Sequence, residues 1–341
     1  METEIWEKKT KVSYILSIFV LLIHFYPTQN FVFRSELNLQ LNTGLRVLLR
    51  DVVAVHAVPL FFIMSGYFFF RNFEPAKYPE KMKSRFKSLV IPYLSWNIIM
   101  VFWQIFYPII NKSTTNEKYT ITVKNLVNSI IFYGANFQFW FLFYLIIFVI
   151  LSIPIWYILK NRYLVVFFIL VVWLLRVNLI INDRTVQSIL FFCTGAYLAI
   201  YNKKFFEEVN YKLSLICSII FGAIVLIKFA EKMQGRDFSW YLETGLLFVA
   251  TVCLWKVFDF IIKGIPTKKF MHHFFAIYAL HPLISVIVSI LIWKIWYKNE
   301  WTAFLYVVVC VGITLAVIEL ICIIMEKISR RFFNIIMGQR V

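Results

Sequence analysis

The segment Val52–Arg71, VVAVHAVPLFFIMSGYFFFR, is long enough and apolar enough to cross a bilayer as a helix, since spanning takes roughly 20 mostly apolar residues. It carries His56, Pro59, Ser65, Gly66 and Tyr67 inside the apolar run and ends on Arg71. A plain anchor has no use for these residues. Polar groups in hydrocarbon cost free energy, and proline removes a helix hydrogen bond. The segment therefore predicts a spanning helix with a task beyond anchoring.

Outward from it the chain stays apolar. Of its 341 residues, 61% are hydrophobic, 19% are aromatic and only 16% are charged, and the mean hydropathy is +0.76. A soluble chain averages about 25% charged residues, so this composition predicts a polytopic membrane protein. The formal charge of +17 comes from basic residues that flank the apolar runs instead of forming one patch. That pattern points to anionic lipid headgroups and membrane orientation, not to nucleic acid. Cys193, Cys217, Cys253, Cys310 and Cys322 stand singly within apolar runs. Free cysteine behaves there as a small hydrophobe, so neither a disulfide nor a metal site is expected. The first apolar run follows Lys8, Lys9 and Lys11, as a signal peptide would. It ends in His24-Phe25-Tyr26-Pro27 with no small-x-small cleavage site, so an uncleaved first span is expected.

The expected fold is an all-α membrane bundle of about ten spans, forming a single membrane domain over 1–341. The spans are expected near 12–26, 46–70, 88–110, 136–158, 163–180, 186–201, 212–230, 240–262, 273–297 and 302–325. The longest polar connection is near 111–135, and no repeat or soluble domain is visible. With the amino terminus inside, 21 Lys and Arg fall on the inner side and 13 on the outer. The positive-inside rule then predicts that both termini are cytoplasmic, with the basic stretch Arg71–Lys87 also inside.

Several polar residues in the spans have two readings. His24, at the end of the first run, is an interfacial histidine or a base. His56, with Arg50 and Asp51 just before it, is a helix-packing histidine or a functional one. Gly66, within Ser65-Gly66-Tyr67, admits a neighbouring backbone or a ligand. Lys83 and Arg85 belong to a positively charged flank that also suits phosphates. Trp140 suits an interfacial belt. His281-Pro282 in the middle of an apolar run needs partners, because Pro282 frees a carbonyl one turn back. Glu319 stands alone among apolar neighbours and pairs with a base or lines a site.

The run Val58-Pro59-Leu60-Phe61-Phe62-Ile63-Met64-Ser65-Gly66-Tyr67 resembles the characteristic motif of the type 3 membrane acyltransferases. So, in order, do the first-span His24, the Phe139-Trp140-Phe141-Leu142 run and Tyr278-Ala279-Leu280-His281-Pro282. Two positions depart from the family pattern. Ser13 stands where an arginine usually precedes the first-span histidine by eleven residues, and Gln138 where a histidine often precedes Trp140. The resemblance implies O-acetylation, or another short O-acylation, of a surface polysaccharide or its lipid-linked precursor at the bacterial inner membrane. The donor would be acyl-coenzyme A, acetyl-coenzyme A above all, as a co-substrate and not as a bound cofactor.

Acyl transfer needs a base, oxyanion donors and cations for the donor's phosphates. The resemblance assigns His24 and His281 to catalysis, and Arg71, Lys83, Arg85, Ser65 and Tyr67 to the donor. His56, Arg50, Trp140, Tyr278 and Glu319 are expected to line the site. The partners are then acyl-coenzyme A, a glycan or lipid-linked glycan and membrane lipids, with neither metal nor nucleic acid. No Gly-rich phosphate loop, Gly-x-Ser-x-Gly or His-Glu-x-x-His is present. A flippase of sugar-lipids and a scaffold subunit are the rival classes.

Overall fold

The computed structural model describes residues 2–24, 31, 33–110, 122–177, 182–296 and 299–338. Every regular element among them is a helix. In chain order these are α1 (Glu2–His24), α2 (Glu36–Phe70), α3 (Pro75–Phe106) and α4 (Val123–Ile131). Next come α5 (Trp140–Ile150), α6 (Ser152–Lys160), α7 (Arg162–Val177), α8 (Asp183–Tyr201) and α9 (Lys203–Glu207). The chain continues through α10 (Tyr211–Met233), α11 (Trp240–Ile261), α12 (Lys269–Ile295) and α13 (Glu300–Ile336).

The all-helical membrane expectation holds, and length and composition bear out part of the expected span count. Among the described residues six helices are long and apolar enough to cross a bilayer, or seven if the bent pair α5–α6 counts as one span. These helices overlap the expected spans at 46–70, 88–110, 136–158, 212–230, 240–262, 273–297 and 302–325, of which residue 297 lies outside the described residues. The other three expected spans also fall on helices, but of a different kind, and their residues 25–26 and 178–180 lie outside the described residues. In α1 the apolar stretch comes only after Lys8, Lys9 and Lys11, α7 is 16 residues long, and α8 opens on Asp183-Arg184. The expected connection near 111–135 contains α4, and its residues 111–121 lie outside the described residues.

The chain folds as two compact units. The first comprises Met1–Arg71 and Phe191–Ile324. In it α1 packs against α2 and α12, and α10 pairs closely with α11. The helix α2 starts on Ser35, whose hydroxyl caps it by accepting from the Asn38 N–H at 3.2 Å. It is not uniform. Val47–Val53 is wound as π-helix and Ala54–His56 as 3-10 helix before α-helix resumes at Ala57. The irregular stretch ends just before Pro59, which has no N–H to offer the Val55 carbonyl. It carries Arg50, Asp51 and His56, and π-turns of this kind often mark functional sites.

Farther along α2, a Cβ placed on Gly66 would lie 2.1 Å from the Phe192 carbonyl oxygen. One on Gly195 would lie 1.9 Å from that of Ile63. The two backbones therefore touch where α2 crosses the 191–201 part of α8. Of the two readings of Gly66, close approach of a neighbouring backbone is the one realised.

One buried charge cluster fixes the start of α1. Asp259 of α11 takes a salt bridge from Lys8, and Ser214 of α10 donates to its other oxygen at 2.7 Å. Lys256 lies 3.7 Å from that oxygen and donates to the Glu208 carbonyl at 2.6 Å. The side chains of Asp259 and Lys256 are wholly buried. A buried carboxylate of this kind persists only with partners.

The second unit comprises Asn72–Leu190 and Met325–Val341. Side chains of α3 satisfy carbonyls at the end of α4: Tyr93 donates to Ile131 at 2.7 Å and Asn97 to Ile130 at 3.1 Å. The Trp96 indole donates to the Ile336 carbonyl at 3.1 Å. The pair α5–α6 bends by 69°. Its cause is Pro154, which leaves the Ile150 carbonyl without its helical donor, and the Tyr78 hydroxyl takes that carbonyl at 3.0 Å.

The glycine crossing gives a direct test. Gly66→Ala and Gly195→Ala each force two backbones apart and should each destabilise by about 1–3 kcal/mol or more. Gly222→Ala, with nothing within 4 Å of the added carbon, should not. Thermal unfolding of the purified protein in detergent compares the three.

Candidate functional site

The sequence-predicted residues of the first unit fall into four groups. The first sits where α1 ends. His24 is the last residue of that helix, and its ring centroid lies 5.2 Å from that of His281 on α12. Pro282 explains the state of His281. It cannot donate to the Tyr278 carbonyl four residues back, and His281 Nδ1 bonds that carbonyl at 2.8 Å and the Ile277 carbonyl at 3.2 Å. Carbonyls only accept, so Nδ1 carries the hydrogen and Nε2 of the buried His281 bears the lone pair. The Tyr278 ring stands 6.3 Å from the His281 ring. Arg50, on the π-turns of α2, acts electrostatically on His24 and lies 3.7 Å from Asp51. Of the predicted residues, His24, His281, Tyr278 and Arg50 thus belong together.

His56 points elsewhere. It is fully buried, and its Nδ1 lies 2.8 Å from the Thr251 hydroxyl of α11. That hydroxyl has one hydrogen, already given to the Leu247 carbonyl at 2.6 Å. His56 Nδ1 is therefore the donor, and its Nε2 has no hydrogen-bond partner among the described residues. The edge of Phe221 covers the ring at 5.5 Å, and the buried Lys228 nearby is paired with Glu243 at 2.7 Å. The helix-packing reading of His56 is the one its bond to α11 supports.

Glu319 meets His273, whose Nδ1 lies 2.8 Å from its carboxylate. This is a pairing with a base, the plainer of its two sequence readings. The base comes from the 3-10 turn Lys269–His273 that opens α12.

The fourth group lies at the other end of α1, near Lys8. Arg71 Nε donates to Glu207 Oε1 at 2.6 Å, and the Tyr67 hydroxyl donates to the same oxygen at 2.5 Å. Burial pushes the Glu207 carboxyl up, but the hydrogen bonds from Arg71 and Tyr67 outweigh it and hold the group below the usual carboxylate range. Tyr67 stacks on Phe206 at 3.9 Å, Phe206 stacks on Trp255 at 4.0 Å, and the Lys8 ammonium sits over Trp255 at 4.1 Å. Lys8 and His24 are 16 residues apart on one helix, or about 24 Å along its axis. Ser65 is half-buried on α2, and among the described residues no base bonds it.

Lys83, Arg85 and Trp140 belong to the second unit. Lys83 is exposed and Arg85 half-buried on α3. Trp140 begins α5, with the Arg184 guanidinium 5.8 Å from its ring and 4.5 Å from that of Phe137. Among the described residues no three His, Cys, Asp or Glu gather as metal ligands.

Sequence reasoning missed Glu207, Asp259, Thr251, His273 and Arg184. Asp259 carried a signal, being an acid within an apolar run. Glu207 carried none, because it sits among the ordinary charges of a connecting segment.

A family model described as an acyltransferase domain matches residues 14–322. The chain belongs to that family, the acyltransferase 3 family, and is a membrane acyltransferase. The match spans His24, the Val58–Tyr67 motif, Trp140 and His281-Pro282. Comparison with curated proteins and with solved structures finds no match.

The tautomer derived for His56 is testable. Thr251→Val leaves a buried Nδ1–H without its acceptor, which costs about 1–3 kcal/mol, so the thermal midpoint should fall. Thr251→Ser keeps the acceptor and should stay near wild type. Equal midpoints for the Val and Ser variants would show that His56 does not depend on this bond.

Proposed function

We propose that the protein moves an acetyl or other short acyl group from acyl-coenzyme A to a hydroxyl of a surface polysaccharide or its lipid-linked precursor. The observation that carries this reading is the pairing of His24 with His281 at one end of α1, with Arg71 and Tyr67 at the other. A base and a phosphate-holding cation are the two groups such a donor needs farthest apart, because its thioester lies at the tip of a long pantetheine arm.

In this reading Arg71 engages a donor phosphate from the cytoplasmic side, where forked hydrogen bonds favour arginine. The thioester reaches the His24 end. His24 takes the proton of the acceptor hydroxyl as its oxygen attacks the thioester carbonyl. The C–S bond then breaks, the ester forms, and the thiolate of coenzyme A recovers the proton. His281, with Nδ1–H tied to the Tyr278 carbonyl, offers Nε2 as the adjoining proton acceptor. Arg50, which acts electrostatically on His24, supplies positive charge for the developing oxyanion. The reading takes transfer as direct, since among the described residues no base bonds Ser65. Lys83 and Arg85 belong to the second unit, and the reading does not depend on them. The protein is placed in the bacterial inner membrane with about ten spans, α1, α7 and α8 supplying the shorter ones, and with both termini cytoplasmic. Family membership favours acyl transfer over flipping or scaffolding.

Positioned bases contribute about 10²–10⁴-fold to rate. His24→Gln, which cannot exchange a proton near neutral pH, should therefore lose nearly all transfer of labelled acetyl from acetyl-coenzyme A into envelope glycan. His272→Ala, at an exposed neighbouring position, should keep it. Retention of most of the rate by His24→Gln, at normal protein levels, would overturn the assignment.

Orientation is tested separately. A single cysteine replacing Lys77, on a cysteine-free background, should stay unlabelled by an impermeant maleimide in intact cells and react once the membrane is opened. Labelling in intact cells would reverse the topology and the donor side with it.

A further inference from the structure

The geometry points to Glu207 as a positioning residue that orients Arg71 for the donor's phosphate. This rests on the reading that Arg71 holds coenzyme A.

Arg71 is the residue that ends α2, and its side chain leaves the helix on a flexible stem. An arginine in that place samples many rotamers, each of which costs free energy when a ligand fixes it. Glu207 removes that freedom. Its Oε1 takes the Arg71 Nε–H at 2.6 Å. An acceptor on Nε lies in the guanidinium plane, so it sets the direction of the whole planar group.

The carboxylate is itself well held. Its Oε1 also takes the Tyr67 hydroxyl at 2.5 Å. The neighbouring Phe206 is almost fully buried, stacked between Tyr67 and Trp255, and its carbonyl takes the Trp255 indole N–H at 3.0 Å. The short helix α9 that presents Glu207 is capped by Asn202, which accepts from the Phe205 N–H at 3.2 Å. A carboxylate fixed on this column does not swing aside as a mobile counter-ion would. It acts on the donor only through Arg71, which is what makes it a positioning residue.

The test is direct binding of coenzyme A to the full-length protein in detergent, by isothermal titration, so no acceptor is required. Arg71→Ala and Glu207→Ala should each weaken binding by about five- to twentyfold. The double variant should be no weaker than Arg71→Ala, because Glu207 has nothing left to orient. Glu207→Gln keeps an oxygen for Nε and should recover most of the affinity. Tyr67→Phe removes one hydroxyl, leaves the ring stack and should weaken binding by about two- to threefold. A thermal midpoint measured for each variant separates loss of fold from loss of orientation.

Additive losses in the double variant would make Glu207 merely structural and overturn the proposal. So would tighter binding in Glu207→Ala, which would mark Glu207 as a counter-ion competing with phosphate. If Arg71→Ala binds coenzyme A as wild type does, the donor reading itself falls. If Arg71→Ala weakens binding and Glu207→Ala does not, only the positioning role falls. Should Glu207→Ala fail to accumulate, the Glu207→Gln and Tyr67→Phe affinities decide: equal, wild-type values for both overturn the proposal.

Discussion

Asp259 has no exposed side-chain surface and lies between two lysines, one from its own helix and one from the first helix of the chain. Much of the first unit depends on that arrangement. A carboxylate taken out of water costs several kcal/mol unless charge and hydrogen bonds compensate, and here Lys8, Lys256 and Ser214 all converge on it. Because Lys8 belongs to α1, the interaction sets where that helix begins. A helix of fixed rise then sets where it ends, which is the position of His24. Removing the carboxylate would leave two buried ammonium groups facing each other, so its loss is felt at both ends of α1.

Two prolines illustrate how one backbone defect serves different purposes. Pro154 and Pro282 each leave a carbonyl one turn back without its helical donor. Neither carbonyl goes unmet, since hydrocarbon offers no water to take its place. At Ile150 the donor is a tyrosine hydroxyl from another helix, and the span bends by 69°. At Tyr278 the donor is the imidazole of the residue just before the proline, and the helix continues. The second solution spends a histidine nitrogen on the backbone and thereby fixes which nitrogen is left for chemistry. A His-Pro pair in a span is thus a way of choosing a tautomer.

How much of this was legible in the sequence follows from the range of each interaction. Helices, their apolar character and the special nature of Val52–Arg71 come from local pattern, and all are present. His281-Pro282 was readable because the defect and its remedy are adjacent in the chain. Span number was less so: hydropathy averages over the lysines of α1 and the polar start of α8, and the length of a helix depends on its ends. Gly66 had two readings because its neighbour, Gly195, lies 129 positions away, and only folding brings the two backbones into contact. Glu207, Thr251 and His273 were invisible for the same reason. A carboxylate in a connecting segment looks like any other until Arg71 and Tyr67 are found on one of its oxygens. Pairings among buried polar groups carry specificity, and they are long-range by nature.

The separation of the two groups on α1 also bears on which donors the proposed reaction admits. Multiple phosphate charges belong at a water-facing surface, because moving them into hydrocarbon costs far more than any arginine contact returns. The reacting carbonyl must nonetheless come within about 3–3.5 Å of the acceptor oxygen. With Arg71 in the group at the Lys8 end of α1 and His24 about 24 Å along that helix from Lys8, the proposed reading suits a donor whose charged head and reactive tip are joined by a long, uncharged arm. Acyl phosphates and other compact donors fit this reading less well, since their charge sits on a leaving group bonded directly to the reacting carbonyl. Acyl-coenzyme A fits it, because the pantetheine arm can enter the bundle while the phosphates stay outside. On the proposed reading, the donor is matched to the length of one helix and to where its two ends are held.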